Sequence, residues 1–230
     1  MRRLYYRLQM HRARGQSDET QIIDRLTVDV PKTFVEFGFH PVQFNCIKLA
    51  ANPSWRGLLI DGNPQQVADA RALLPERIDV VERFLTLENL EFIKHAFSQI
   101  GVLSIDVDGN DYWFLRELIG TRPAVISVEY NSTFGLEPIT VPYDPAFNRY
   151  EKHPKGWYHG ASLTALAKLC AHHGYGLAAV SHKGANAFFT QSGKLDPKVA
   201  WKPNTLREVY SGIPHDRQWE EIRNLPYETV

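Results

Sequence analysis

The sequence predicts an α/β fold built on a mostly parallel sheet, and three observations lead to this prediction. Short apolar runs rich in Val, Ile and Leu alternate with helical patterns from residue 33 to about 190. These runs are apolar almost throughout, which is typical of strands buried on both faces of a parallel sheet. The last two runs flank the turn His182-Lys183-Gly184, and this arrangement predicts an antiparallel hairpin that closes the sheet. An alternating order places helices on both faces of such a sheet.

Each strand is predicted from an apolar run, and each helix from its spacing and its capping residues. The parallel strands are predicted at residues 33–38, 57–61, 78–82, 102–106 and 124–129. The helices between them are predicted to begin at Pro41, at Pro64 with Asn63 as N-cap, after Thr86, and after Asp108. A further helix is predicted at 162–173, before hairpin strands at 175–181 and 185–191, and one short helix at 219–223.

Composition narrows the class of protein. The chain has 230 residues, of which 43% are hydrophobic and 23% charged, as in an ordinary globular domain. Basic and acidic residues both number 26, so the net charge is zero and no nucleic-acid partner is expected. Cys46 and Cys170 lie in apolar helical patterns and predict buried thiols in a reducing, cytoplasmic compartment. No apolar run is long enough for a transmembrane segment.

The organisation predicted along the chain has three parts. Residues 1–24 form a basic N-terminal arm, with five arginines and no acidic residue in the first 15 positions. Residues 25–192 form the main domain, in which residues 131–159 lack periodicity and are interpreted as a lid insertion. Residues 193–230 are interpreted as a C-terminal tail. The arm or the tail is a candidate contact for a homo-oligomer, and the arm lacks the apolar core of a secretory signal.

The ends of the strands carry the functional argument, because ligands bind beyond the carboxyl ends of parallel strands. The first strand ends at Gly38, but the G-x-G-x-x-G pattern of a pyrophosphate site is absent. Glu36, within that strand, favours a positively charged ligand instead. Asp61 ends the second strand, 23 residues after Gly38, where a carboxylate can accept hydrogen bonds from both hydroxyls of a ribose.

An acidic cluster follows the fourth strand. Asp106 and Asp108 would face a cleft, where two close carboxylates raise one pKa for base chemistry or hold a divalent cation such as Mg²⁺. Glu129 and Asn131 follow the fifth strand and would point toward them, so Asp106, Asp108 and Glu129 are the candidate metal ligands. In the alternative, Asn131 starts a turn and Glu129 pairs with an arginine.

One histidine is a candidate general base. His159 precedes the helix predicted at 162–173 and lies beside the strand-end loops. The alternative is an ordinary loop histidine without a catalytic part. The insertion also carries four aromatic residues that suit a sugar ring or a small natural product, or that simply pack: Tyr143, Tyr150, Trp157 and Tyr158.

The motifs together resemble the FkbM-like branch of the class I S-adenosylmethionine-dependent methyltransferases. They span roughly residues 34–190 in the order of that family: VEFGF (35–39), WRGLLIDGN (55–63), FLTLENL (84–90), LSIDVDGNDYWFL (103–115), ISVEYNSTFG (126–135), YHGASLTALAKL (158–169) and GANAFF (184–189). The resemblance implies a Rossmann-like fold whose seven-stranded sheet has a reversed final strand. It also implies that S-adenosylmethionine binds along the first three strand ends.

The resemblance implies a role for each matching residue. Glu36 and Gly38 would lie under the methionine part of the cofactor, and Asp61 would bind the ribose with Gly62 and Asn63 beside it. Arg83 and Phe84 would lie near the adenine, and Asp106 near the sulfonium and the transferred methyl group. The catalytic candidates are Asp106, Asp108 and His159.

The function expected is O-methylation of a small-molecule acceptor, either a sugar or a secondary metabolite. A nicotinamide oxidoreductase is disfavoured, because the dinucleotide pattern is missing. The alternative from another class is a non-catalytic binding or partner module that retains the fold. The replacement of the family's further glycines by Phe39-His40-Pro41 favours that alternative.

Overall fold

The computed structural model describes residues 17–230, and residues 1–16 of the predicted basic arm lie outside the described residues. The part of the predicted arm that is described contains the start of a helix. Helix α1 spans Glu19–Leu26 and buries Ile22 and Ile23. None of the helices within residues 17–230 has the length and hydrophobicity that a membrane span requires.

The strands and helices alternate as predicted through the first half of the chain. The order is β1 (Thr33–Phe37), α2 (Ile47–Ala51), β2 (Arg56–Asp61), α3 (Pro64–Leu73), β3 (Ile78–Glu82), α4 (Glu91–Lys94), β4 (Val102–Ile105), α5 (Asp111–Leu118) and β5 (Val125–Glu129). Short 3₁₀ helices at Leu87–Asn89 and Ile119–Thr121 precede α4 and follow α5. All five strands that were predicted as parallel begin and end within one residue of their predicted bounds.

The second half is more irregular and contains more helices than predicted. It comprises a 3₁₀ helix (Ser132–Phe134), β6 (Ile139–Thr140), α6 (Arg149–Lys152), α7 (Leu163–His172), β7 (Gly176–Val180), β8 (Asn186–Thr190), α8 (Pro197–Ala200), α9 (Thr205–Ser211), α10 (His215–Ile222) and β9 (Glu228–Thr229). The helix predicted at 219–223 is the end of α10. Residues 193–230 form two further helices, α8 and α9, that the sequence interpretation did not include.

The main sheet has seven strands in the order β3-β2-β1-β4-β5-β8-β7, and β6 and β9 form a separate antiparallel pair. The pairs β1–β2, β1–β4 and β2–β3 are parallel, and β7–β8 is antiparallel. The predicted antiparallel hairpin at the end of the sheet is thus confirmed.

The chain divides into two compact units. One comprises the residues up to Asp106 together with Thr121–Ser127, and the other comprises Val107–Gly120 together with Val128–Val230.

Each unit has its own apolar core. In the first unit, Phe34, Phe37 and Leu59 are fully buried among the strand side chains. In the second unit, a cluster of buried residues unites the 131–159 segment with the C-terminal helices: Phe134, Ile139, Val141, Trp157, Tyr158 and Ile222. Cys46 and Cys170 are buried free thiols, as predicted.

Two predicted helix starts are wrong for the same physical reason. The helix after β1 begins at Ile47 and not at Pro41, because the backbone amides of Asn45 and Cys46 donate to the Glu36 carboxylate instead of entering a helix. The next error is at Asp108, which has φ +56° and does not cap α5. The N-cap is Asn110, because the Asp111 carboxylate takes the amides of the preceding loop.

Candidate functional site

In the first unit, a buried carboxylate shapes the loop that follows β1. Both oxygens of Glu36 are occupied, since Oε1 accepts from the Asn45 amide at 2.7 Å and Oε2 from the Cys46 amide at 2.8 Å. Burial raises the pKa of Glu36 to about 7. Gly38 follows with φ +74°, a conformation that favours glycine. Glu36 therefore holds the loop from beneath, and Gly38 allows the backbone to turn.

Asp61 joins the ends of β1 and β2. Its Oδ2 accepts from the Phe39 amide at 3.2 Å, and its Oδ1 from the Asn63 amide at 2.7 Å. Asp61 is half-buried, and burial raises its pKa. The Asn63 side chain accepts from the amides of Gln65 and Gln66, which confirms it as the cap of α3. Because each carboxylate oxygen accepts more than one hydrogen bond, Asp61 retains acceptor capacity for a ligand hydroxyl.

The end of β3 presents an exposed aromatic ring beside Gly62. Phe84 is 61% exposed. A Cβ on Gly62 would lie 3.1 Å from Cδ2 of Phe84 and 3.3 Å from its Cα, so a side chain at residue 62 would press on this residue. The Arg83 guanidinium lies 4.4 Å from the ring centroid of Phe92. The Arg83 side chain is thus engaged with Phe92, and the face of Phe84 stays open.

The register of the sheet brings the predicted cofactor residues to one edge. Phe37 is opposite Ile60 on one side and Ile105 on the other, and Asp61 is opposite Glu82. The half-buried Asp106 follows β4, and its amide donates to the Phe37 carbonyl at 3.2 Å. Every predicted cofactor residue therefore lies in the first unit, at the carboxyl ends of β1 to β4.

The second unit contains a separate polar cluster. Ligand atoms of Asp108, Glu129 and His159 all lie within 4.8 Å of one another. The Asp108 side chain is 58% exposed and forms an ion pair with Arg149. His159 is 1% exposed, and its Nε2 lies 3.7 Å from Oε1 of Glu129. Two of the predicted catalytic residues, Asp108 and His159, thus meet here with a predicted metal ligand.

A second arginine enters this cluster from α9. Nη1 of Arg207 donates to Oδ1 of Asn131 at 2.8 Å, and Nη2 lies 3.1 Å from Nε2 of His159. A guanidinium has no acceptor, so Nε2 of His159 accepts this hydrogen bond. Burial, together with Arg149 and Arg207, lowers the pKa of His159 well below its usual range. His159 is therefore a neutral imidazole.

Burial and neighbouring charges shift the pKa values of the carboxylates in this cluster. Burial raises the pKa of Glu129, and Asp108 raises it further, against the effect of Arg149 and Arg207. Asp111 is fully buried and accepts from the amides of Val107 and Gly109, both at 2.9 Å. Burial raises its pKa to about 6. Asp111 therefore shapes the loop that presents Asp108.

The donor atoms of this cluster do not fit a metal ion in this arrangement. Arg149 is bonded to Oδ1 of Asp108, and Arg207 occupies Nε2 of His159. Two guanidinium groups thus supply the positive charge that a cation would bring. Asn131 caps the following 3₁₀ helix by accepting from the Thr133 amide. Asn131 thus starts a turn, as in the alternative interpretation, and Arg149 and Arg207 act on Glu129 electrostatically.

The aromatic residues of the 131–159 segment divide into two groups. Trp157 is 1% exposed and Tyr158 is also buried, and both belong to the core of the second unit. Tyr150 is 67% exposed. Tyr143 is half-buried and packs edge-on against Trp113. Tyr150 is therefore the one residue of the predicted four with a largely exposed ring.

Sequence reasoning missed both arginines of the cluster. Arg207 lies in the segment interpreted as a tail, and Arg149 in the segment interpreted as a lid. A signal for α9 was present, because Asn204 caps it by accepting from the Arg207 amide and Gly212 ends it in the left-handed conformation. No local signal indicated that Arg207 would contact Asn131, 76 residues away.

Comparisons with known proteins show the fold. No protein-family model matches this chain, and no curated protein matches it by sequence. The chain is similar to the cofactor-bound structure of Rv0187 from MTB, with 17% identity, a TM-score of 0.50, and coverage of 79% of this chain and 83% of that one. It is also similar to an O-methyltransferase from Bacillus cereus in complex with SAH, with 17% identity, a TM-score of 0.50, and coverage of 75% and 78%. The chain therefore has a Rossmann-like methyltransferase fold, with a mostly parallel seven-stranded sheet and an antiparallel hairpin.

Proposed function

We propose that this chain is an S-adenosylmethionine-dependent methyltransferase of the FkbM-like branch, and that it methylates a hydroxyl group. The observation that carries the proposal is the pairing of a half-buried carboxylate, Asp61, with the exposed ring of Phe84 at adjacent strand ends. A ribose hydroxyl can donate to Asp61, and adenine can stack on Phe84. The resemblance of the motifs and the shared fold support the same cofactor.

The first-unit residues have distinct proposed roles in holding the cofactor. Glu36 fixes the loop that contains Gly38. Gly62 and Asn63 form the turn beside the ribose. Arg83 packs on Phe92 and thereby positions the residues next to the adenine. Asp106 lies nearest the reacting end of the proposed site. S-adenosylmethionine supplies an activated sulfonium, so positioning accounts for most of the acceleration.

Deprotonation of the acceptor hydroxyl is assigned to a carboxylate. Asp106 is half-buried and the Asp108 side chain is 58% exposed, whereas His159 is buried and its Nε2 accepts from Arg207. In this proposal His159 is a neutral group that contacts Arg207 and Glu129 and does not take up the proton. A sugar or small secondary metabolite suits the mixture of carboxylates, guanidinium groups and the exposed Tyr150. No step of this mechanism uses magnesium.

One observation favours the alternative, a binding or partner module that retains the fold. The amide of Phe39 already donates to the Asp61 carboxylate, in the loop where the family's further glycines are replaced. A backbone amide at this carboxylate competes with a ribose hydroxyl for its lone pairs.

Calorimetric titration separates the two functions. Wild-type protein is titrated with S-adenosylmethionine, with S-adenosylhomocysteine, and with NAD as the control. Saturable binding of the first two alone is the expected result, and formation of S-adenosylhomocysteine across a panel of sugars and phenols then identifies the acceptor. A folded sample that binds none of the three overturns the methyltransferase proposal and favours the module.

A further inference from the structure

Four consecutive residues after β5 are held by the C-terminal segment, here residues 193–230. The Tyr130 hydroxyl donates to the Lys202 carbonyl at 2.7 Å, and the Asn204 amide donates to Oγ of Ser132 at 2.8 Å. Nη1 of Arg207 donates to Asn131 at 2.8 Å and to Thr133 at 3.1 Å. Oγ1 of Thr133 in turn donates to Gln218 at 3.0 Å. Residues 130–133 lie within the ISVEYNSTFG motif. The segment is thus a structural support for the motif.

Arg207 is the centre of this network. Its guanidinium is buried, which lowers its pKa to about 10, so it remains charged at neutral pH. It contacts Asn131 with one nitrogen and His159 with another. Asn131 in turn donates to the carbonyls of Trp157 at 2.7 Å and of His159 at 2.9 Å. One side chain therefore fixes both the imidazole and the backbone of His159.

We propose that Arg207 is a positioning residue of an acceptor site within the second unit, and that the C-terminal segment completes this site through Arg207. It holds the imidazole of His159 and the amide of Asn131 in one arrangement. This role rests on the proposed methyltransferase function. The groups that face His159 are Glu129, Arg149 and Arg207, and Asp108 lies within the same cluster.

The first test measures the hydrogen bonding of the His159 ring and needs no methyl acceptor. Protein labelled with ¹⁵N-histidine is compared by NMR at a single pH of 7.5, and His159 is assigned by comparison with H159N. In wild type, Nε2 of His159 accepts a hydrogen bond from Arg207, so the ring proton lies on Nδ1. In R207M this donor is absent, and the ¹⁵N chemical shifts of the His159 ring are expected to differ from those of wild type.

The second test separates turnover from cofactor binding. R207M is expected to lower kcat at least tenfold for the acceptor found in the panel. The Kd for S-adenosylmethionine stays within twofold, because the contacts of Arg207 lie in the second unit. R217M is the matched control, since Arg217 is an exposed arginine of the same segment that pairs with Glu220. It leaves kcat and the His159 signals unchanged.

Substitution R207K keeps the charge but loses the planar fork, so the lysine reaches one partner and not both. An intermediate kcat is expected, and R207K decides the question if R207M does not fold. Unchanged His159 signals and unchanged kcat in folded R207K overturn the positioning role. If wild-type protein fails to bind S-adenosylmethionine, the proposed function fails by itself, and the NMR comparison still reports whether Arg207 orients the His159 ring.

Discussion

The amide of Cys46 donates to the buried carboxylate of Glu36 at 2.8 Å, and this contact sets the start of α2. The thiol of Cys46 lies beside the same carboxylate, and burial followed by the charge of Glu36 raises its pKa well above its usual range. A single glutamate thus sets the start of α2, orders the loop after β1 and adds to the effect of burial in raising the pKa of a thiol. Its protonation is therefore linked to the stability of the first unit.

Stability should fall with rising pH because of Glu36. The pKa of Glu36 is raised from 4.5 to about 7 in the folded chain, so the folded state binds the proton more tightly than the unfolded state. This contribution is complete below about pH 4.5 and is lost as the pH rises through 7, by at most about 3 kcal/mol. Urea unfolding from pH 4.5 to 8 should show a steeper fall for wild type than for E36Q. E82Q, at an exposed glutamate of β3, should follow wild type. Parallel profiles for wild type and E36Q would contradict the linkage.

Removal of the Asp61 carboxylate should weaken cofactor binding. Loss of a charged hydrogen-bond acceptor for the ribose costs about 1.5–3 kcal/mol, or roughly ten- to hundredfold in Kd. D61A is compared with D79N, at an exposed aspartate of β3, by calorimetric titration with S-adenosylmethionine. An unchanged Kd in D61A would show that the ribose binds elsewhere.

Substitution F84A should weaken cofactor binding without loss of stability. Stacking of a base on an aromatic ring contributes about 1–3 kcal/mol, or roughly five- to hundredfold in affinity. The free energy of unfolding should change by less than about 0.5 kcal/mol, because the ring is exposed. Y210A, at an exposed tyrosine of α9, is the control. Equal affinities of F84A and Y210A would exclude Phe84 from the adenine site.

Magnesium should neither bind to the second-unit cluster nor affect cofactor binding. The guanidinium of Arg149 occupies Asp108, and Arg207 occupies His159, so a cation would have to displace both. Calorimetric titration with MgCl₂ should give no saturable heat, and EDTA should leave the Kd for S-adenosylmethionine unchanged. A saturable signal in wild type that disappears in D108N would instead establish a metal site.

Trp157 should act as a core residue of the second unit. W157A is expected to lower the free energy of unfolding by about 3–5 kcal/mol, as for other buried tryptophans. Y150A, at an exposed aromatic of the same segment, should change it by less than about 0.5 kcal/mol. Urea unfolding monitored by circular dichroism measures both. Similar losses in the two variants would place Tyr150 in the core as well.

The strands could be predicted because their signal is local. Each central strand is a run of apolar residues, and the cap of α3 by Asn63 depends on residues two and three positions away. The start of α2 could not be predicted, because Glu36 reaches forward nine and ten residues to take its amides. Asp108 was an acceptable cap by residue type, yet Asp111 folded the loop so that Asp108 has a positive φ.

The candidate site likewise contains residues that could be predicted from the sequence and residues that could not. Residues at strand ends, such as Asp61 and Glu129, could be found because the carboxyl ends of parallel strands share one edge. Arg207 could not, because its contacts depend on how α9 packs against residues 48 to 76 positions earlier in the chain. The same difficulty applied to Trp157, since an aromatic residue in a segment without periodicity is compatible with either a core or a binding wall.

The network around residues 130–133 also sets an order of assembly during synthesis. Thr133 and its partner Gln218 are 85 residues apart. At about 5–20 residues per second, the ribosome needs roughly 4–17 s to proceed from one to the other. Asn131 is made 76 residues before Arg207 and His159 48 residues before it, so both exist for part of this time without the arginine, while the strands of the first unit are already available for pairing. The nascent protein would therefore complete the strands of the first unit several seconds before the network around residues 130–133, and Arg207 would be among the last groups to arrive.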